Sequence, residues 1–387
     1  MKRITAIDFV RGLVMIIMAL DHTRDLIHVD SIAHSPTALA TTTPILFFTR
    51  WITYLCAPIF VFLSGSSAYL SLRKHSNLKE SRRFLLTRGI WLIILEITVV
   101  NFGLWFDIQS RQILLQVIFA IGFSFIFLSF LIKYSSKVLA VIGLIIIFGC
   151  NLLQYVPLNN SSVAGAIFSF FFSFNFYTVS PHFVIILAYP GIPWLGIMLV
   201  GFATGKLFEL PIGKRKNIFL RTGFAAVALF IVLRFINIYG DPLKWSAQKN
   251  NTFTFLSFMN VTKYPPSLLY SLITLGIMFV VLYFSDGIKN KFTKVVIVYG
   301  KVPLFYYLIH LYIIHLILFG ILFTQGYHWA DFNFTSFNFG RPVKVNGLPL
   351  WGVYIVWICI VISLYPFCKW YGKYKMAHPE KKWMRYL

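Results

Sequence analysis

The chain of 387 residues takes 58% of its composition from Ala, Val, Ile, Leu, Met, Phe, Trp, Tyr and Cys and only 12% from charged residues, with a mean hydropathy of +0.75. Soluble domains carry about 25% charged residues, so a water-soluble fold is excluded and an all-α, polytopic transmembrane helical bundle is expected. The formal net charge of +23 indicates nucleic-acid binding only if the basic residues form a patch, and not if they alternate between the loops of a spanning protein.

A crossing helix needs about 20 largely apolar residues to cover roughly 30 Å of hydrocarbon. Ten such runs are predicted, at residues 7–26, 52–72, 85–106, 112–132, 138–156, 183–208, 218–238, 265–285, 295–323 and 350–371. The Phe-rich stretch 166–179 is too short to span, so it is expected to lie in the interface or to re-enter. Asp8 and Arg11 interrupt the first run and no small-residue cleavage site follows, which predicts a retained span and not a cleaved signal. With no internal repeat, low-complexity linker or second domain, residues 1–387 read as one transmembrane domain.

The charges give the orientation. Starting from a cytoplasmic N-terminus, alternate segments hold 24 of the 35 basic residues and the opposite segments hold 7. That asymmetry predicts ten spans with both termini cytoplasmic. It also removes the main support for a nucleic-acid partner and leaves anionic lipid headgroups as the default partner of the basic loops. Cys56, Cys150, Cys359 and Cys368 form no CxxC pair, so neither a disulfide framework nor a zinc site is expected.

The first span is the unusual one. Its uninterrupted apolar core, residues 12–20, covers only about 14 Å at 1.5 Å per residue. A crossing therefore draws charged residues toward the hydrocarbon, at roughly 2.5–3.5 kcal/mol for each central charge facing lipid. One side must face protein or a water-filled cavity. Asp8, Arg11, Met15, Met18, His22 and Asp25 recur at steps of three and four, a single helical stripe. Two uses fit that column. It holds the helix in its bundle by ion pairing, or it carries a site near the outer end in which His22, oriented by Asp21 or Asp25, acts as a general base or acyl acceptor. His28 and His34 follow His22 at steps of six, about 120° apart each, so no metal triad is expected. Further along, Arg50, Glu96, Asn101, Arg234, Asn237, Lys301, His310 and His315 are polar residues in apolar settings. Of these, His310 is the second catalytic candidate.

The segment Ile7-Asp8-Phe9-Val10-Arg11-Gly12-Leu13, followed by Met15, Met18 and Leu20-Asp21-His22-Thr23-Arg24-Asp25, resembles the first helix of the heparan-α-glucosaminide N-acetyltransferase catalytic-domain family, in its bacterial branch. The likeness continues through Phe48-Thr49-Arg50-Trp51, Pro193-Trp194-Leu195-Gly196, Lys263-Tyr264-Pro265-Pro266, Val302-Pro303-Leu304-Phe305-Tyr306-Tyr307 with His310, and Tyr365-Pro366-Phe367-Cys368, nearly the whole chain. The resemblance implies a transmembrane N- or O-acetyltransferase in which cytosolic acetyl-CoA donates the acyl group and an acceptor across the membrane receives it. The lysosomal members carry their proposed catalytic histidine in the loop after the first helix, where this sequence has His34. A second group of membrane acyltransferases, acting on surface polysaccharides, carries Arg, ten residues, then His in its first helix; Arg11 and His22 repeat that spacing.

The expected catalytic residues are thus His22, Asp21, Asp25 and His34. Arg11, Arg24, Arg50 and His310 are expected to bind substrate or CoA, with no metal. The expected partners are acyl-CoA, an extracytoplasmic glycan or small-molecule acceptor, and the lipids of a bacterial inner membrane, a homodimer being left open. The competing reading is a transporter or flippase for an anionic or sugar-linked substrate, whose usual mark is a pair of matching Gly/Pro-broken helices. No such pair stands out here.

Overall fold

The structure, a computed structural model, describes residues 4–73, 77–155, 162–335, 337–381 and 384. Lys2, Arg3, Lys74, Lys382 and Arg385 of the charge count, and Val156 at the end of the fifth predicted span, lie outside them. In chain order the helices begin with α1 (Thr5–Ile27), α2 (Pro44–Thr53), α3 (Cys56–Leu72) and α4 (Leu78–Leu95). A π-turn at Glu96–Val100 carries α4 into α5 (Asn101–Trp105), and β1 (Gln112–Leu115) leads into α6 (Val117–Leu131). Next come α7 (Ser136–Gly149), α8 (Val163–Phe172), β2 (Asn175–Ser180), β3 (Phe183–Leu187) and α9 (Gly191–Thr204). The chain closes with α10 (Ile212–Ile236), α11 (Asn251–Met259), α12 (Leu268–Ser285), α13 (Lys291–Lys301), α14 (Pro303–Thr324) and α15 (Leu350–Ala377).

Local chemistry sets these boundaries. Thr43, Asn77, Ser135, Ser162, Asn250, Ser267 and Asn290 each cap a helix start by accepting a hydrogen bond from a backbone N–H of the first turn. Asn237 ends α10 in the left-handed conformation, φ 56°, which Asn tolerates better than most residues.

The protein is an all-α polytopic helical bundle. Eight helical segments among the described residues are long and apolar enough to cross a membrane, by length and composition: Pro44–Leu72, Leu78–Trp105, Ser136–Leu153, Gly191–Glu209, Ile212–Ile236, Leu268–Ser285, Pro303–Thr324 and Leu350–Ala377. The other two predicted runs are helical too, α1 with its charges and α6 with only 15 residues.

Three expectations change. The second segment begins eight residues earlier than predicted, at the Thr43 cap and Pro44. The run 112–132 opens as β1 and the run 183–208 opens as β3; the two strands pair in parallel, Gln112 opposite Val184, with β2 antiparallel on the other side of β3. Runs of four or five apolar residues such as Phe-Val-Ile-Ile-Leu satisfy either period, and β-branched content favours the strand. The stretch 166–179 is the end of α8 plus most of β2. Finally, the run 295–323 is two helices broken at Val302 (φ −134°), because Pro303 has no N–H to continue the ladder of α13 but fits the first position of α14.

Between helices the packing runs through facing glycines: Gly12 with Gly300 where α1 meets α13, Gly65 with Gly201 where α3 meets α9, Gly89 with Gly122 where α4 meets α6, Gly143 with Gly196 where α7 meets α9, and Gly223 with Gly276 where α10 meets α12. A Cβ on Gly12 would overlap the Val296 carbonyl, so only glycine allows this approach. In hydrocarbon, where lipid is as apolar as leucine, such close backbone contact is a main source of helix association.

Hydrogen bonds order the helix ends. Leu348 N–H donates to Ile27 O at 2.8 Å, and Gln325 and Gly347 exchange two bonds, so the C-terminal ends of α1 and α14 share one side with the start of α15. Segments the charge rule assigns to the other side tie to each other: Arg73 pairs with Glu209, and Arg215 pairs with Asp286 at 2.5 and 2.7 Å.

Candidate active site

α1 lies among α3, α13, α14 and α15, and its polar stripe meets protein along most of its length, with Asp25 at the outer end opening to a cavity. Arg11 donates to the Leu63 carbonyl at 2.8 Å and to the Ser67 hydroxyl, both on α3. Met15 and Met18 are buried. On another face, Trp357 of α15 donates to the Ile16 carbonyl at 2.8 Å.

At the outer end of the stripe, His22 Nδ1 lies 2.8 Å from His310 Nε2 on α14. The rings stack with centroids 4.9 Å apart. His310 Nδ1 lies 3.0 Å from the Tyr306 carbonyl. A carbonyl only accepts, so His310 Nδ1 carries the proton and its Nε2 is the acceptor. His22 must then donate from Nδ1, which leaves the lone pair on His22 Nε2. His310 is fully buried and His22 half-buried, so of the two rings His22 is the one open to a substrate. Tyr307 packs edge-on to both, with centroids 6.1 and 5.6 Å away. The phenol hydroxyls of Tyr306 and Tyr307 are buried beside the pair without a hydrogen-bond partner.

The carboxylates expected to orient His22 make their hydrogen bonds to other groups. Asp21 accepts from Arg24 Nη2 at 2.8 Å, from Arg50 Nη1 at 2.5 and 2.6 Å, and from the Thr53 hydroxyl at 2.8 Å. Asp25 accepts from Arg24. Asp21 thus locks α1 to the end of α2, Asp25 braces Arg24, and the ring that holds His22 is His310. His34 is exposed on the loop after α1, while its successors Ser35 to Ala38 line a cavity of about 400 Å³ together with Arg24, Asp25, Arg50, Asn260 and Lys263. Asp25 is one turn, about 4.5 Å along the axis, from His22.

A clasp closes the outer end of α1. Arg341, from the loop before α15, donates to the His28 carbonyl at 2.9 Å, the Ser31 hydroxyl at 2.6 Å and the Asn346 side chain at 2.7 Å. Burial pushes Arg341 down to about 10, with Asp30 opposing, and burial likewise lowers His28 below the usual imidazole range against the pull of Asp30. Among the described residues, no group of three or more His, Cys, Asp or Glu side chains is arranged to hold a metal ion.

Residues 3–239 match the family model described as heparan-alpha-glucosaminide N-acetyltransferase, catalytic. The chain belongs to this family. Membership, together with the eight long apolar helices, makes it an integral membrane acetyltransferase. Comparison with curated proteins gives no match. The matched region contains Asp21, His22, Arg24 and Arg50, whereas Lys263, His310 and Arg341 lie beyond it.

Two roles escape the sequence. Thr53 is unremarkable in a run of apolar residues, and nothing marks it as a partner of Asp21. The charge count places Lys263 with the external lysines, yet it is buried at 7% exposure; the aromatic and proline residues after it, Tyr264-Pro265-Pro266, set it apart from the exposed Lys244 and Lys249.

Proposed function

We propose that the protein transfers an acetyl group from acyl-CoA, arriving from the cytoplasmic side of a bacterial inner membrane, to a hydroxyl or amine of an extracytoplasmic acceptor such as a sugar. The observation that carries this reading is the His22–His310 hydrogen bond, which presents His22 Nε2 as a base. In the step proposed, Nε2 takes the proton of the acceptor hydroxyl or amine as that oxygen or nitrogen attacks the thioester carbonyl. The C–S bond breaks, and the imidazolium returns the proton to the CoA thiolate. Counting α1 and α6 as crossings gives ten spans with both termini cytoplasmic, a topology supported by the separate bonding of the two sets of helix ends. The cavity beside Arg24 and Arg50 then faces outward as the acceptor site, and Arg11, about 16 Å inward of His22 along α1, belongs to the CoA side.

Purified protein incubated with radiolabelled acetyl-CoA and cell-envelope glycans tests this. His22→Ala is expected to lose transfer by about 100-fold or more while keeping the thermal stabilisation that acetyl-CoA confers on the wild type. Undiminished transfer by that variant removes His22 from the mechanism, and loss on His34→Ala instead would move the role to His34.

A further inference from the structure

The charges around the outer cavity do not balance. Arg24, Arg50 and Lys263 face two carboxylates, Asp21 and Asp25, of which Arg50 and Arg24 between them take both. Nearby, Asp241 accepts from Thr262, Leu243 and Ser267 and offsets Arg234. His310 accepts at Nε2 and is therefore neutral, and His22 supplies no negative charge in either of its forms. One cation remains in excess, and it is Lys263. Among the described residues Lys263 makes no ion pair; its ammonium lies 5.0 Å and 5.8 Å from the ring centres of Tyr264 and Tyr54. Burying a lysine in this way is costly without an anion nearby.

Arg24 repeats the signal independently. Its side chain is 2% exposed, and while Nη2 meets Asp21 and Asp25, the N–H groups on Nε and Nη1 have no acceptor. A guanidinium has donors only and presents them in a fixed fork suited to oxyanions. The potential at the cavity wall is felt by Tyr264: burial raises its pKa, but the charges of Lys263 and Arg50, with hydrogen bonds from Lys263 and Tyr189, outweigh that and hold it below the usual phenol value. Thr37 and Asn260, also in the lining, supply polar contacts of the kind a sugar needs, and a volume of about 400 Å³ suits a ligand of one or two rings.

We infer that the acceptor carries an anionic group, a phosphate or a carboxylate, held in the outer cavity by Lys263 and Arg24 with Arg50 beside them, so that its nucleophile reaches back to His22, one helical turn inward of Asp25 in the cavity wall. This rests on the acetyltransferase reading for the word acceptor, but the anion site itself is tested by binding alone.

The experiment is equilibrium binding to the full-length protein in detergent, using glucosamine 1-phosphate, glucuronic acid, glucosamine and inorganic phosphate, with and without acetyl-CoA. One or both of the anionic sugars are expected to bind at least about tenfold more tightly than glucosamine, the worth of one charge-assisted hydrogen bond or more; whichever is preferred identifies phosphate or carboxylate. Lys263→Met is expected to erase that preference and Lys263→Arg to keep it, with acetyl-CoA still stabilising both variants. Equal binding of the anionic sugars and glucosamine by the wild type, or a preference that survives Lys263→Met, overturns the inference. Inorganic phosphate as tight as the phosphosugar would show a free-anion site and overturn it as well, and competitive displacement of the sugar by acetyl-CoA would overturn it by assigning the cavity to the donor. Should transfer from acetyl-CoA fail while the anionic preference stands, the acetyltransferase reading falls and the site does not.

Discussion

α1 and α10 have nearly the same length, 23 and 25 residues, and opposite surroundings. α1 buries most of its length, Asp8, Asp21 and Arg24 included, whereas α10 buries Phe219, Gly223, Phe230 and Arg234 and turns others, such as Phe224 and Phe235, outward. The helix with the shorter apolar core is at the centre, and the one with a long apolar window, most of its basic residues gathered in the first turns, is at the rim. Lipid is indifferent to a phenylalanine but expels a charge, so hydrophobicity sorts helices outward here, the reverse of its action in water. A membrane helix with too few apolar residues is for that reason the place to look for chemistry.

Exchanging the character of the two helices gives the largest expected effect. Gly12→Leu drives side-chain atoms into the Val296 backbone at the α1–α13 crossing and is expected to cost about 3 kcal/mol or more, seen as loss of the monodisperse peak in size-exclusion chromatography. If that variant melts like the wild type, α1 is not held as described. An intermediate effect is expected at the site. His310→Ala removes the acceptor of His22 Nδ1, so kcat should fall about tenfold or more with KM little changed, and the acidic limb of the pH–rate profile should move to lower pH because the imidazolium of His22 loses a stabilising partner. A uniform drop with an unmoved pH profile would make His310 merely structural. The smallest effect belongs to α10: a methyl group on Gly213 would meet nothing within 4 Å, and Gly213→Ala is expected to leave stability within about 0.5 kcal/mol of the wild type, read as an almost unchanged melting temperature. A larger loss would mean that α10 is packed against something beyond this chain.

Legibility in the sequence follows the range of the interaction. Each of the ten apolar runs contains a helix, because hydropathy is a property of about 20 consecutive residues. The misjudged ends, 112–115 and 183–187, are strands whose identity depends on finding each other across some 70 residues, which periodicity within a single run does not report. The site behaves alike. The stripe on α1 is visible from steps of three and four, and so is His22. Its partner lies 288 residues away, whereas the carboxylates of Asp21 and Asp25, near in sequence, invite credit for a task that the distant ring performs. Asp21 in turn is claimed by Arg50, 29 residues on. The glycine pairs go unread for the same reason: a single glycine in a greasy helix says little until the glycine facing it is known.

The separation of His22 from His310 also bears on how the protein is made. α1 leaves the ribosome first, yet α14, which seats its histidine, and the loop bearing Arg341, which clasps its outer end, leave near the last. At 5–20 residues per second, 288 residues take roughly 15–60 s to synthesise. For that interval Arg50 and Thr53 already reach Asp21, but His22 is without its final partner, and the outer end of the nascent first helix must be sheltered by the insertion machinery or wait at the membrane surface. Biogenesis of this enzyme is thus expected to be the stage most sensitive to the chain that comes last.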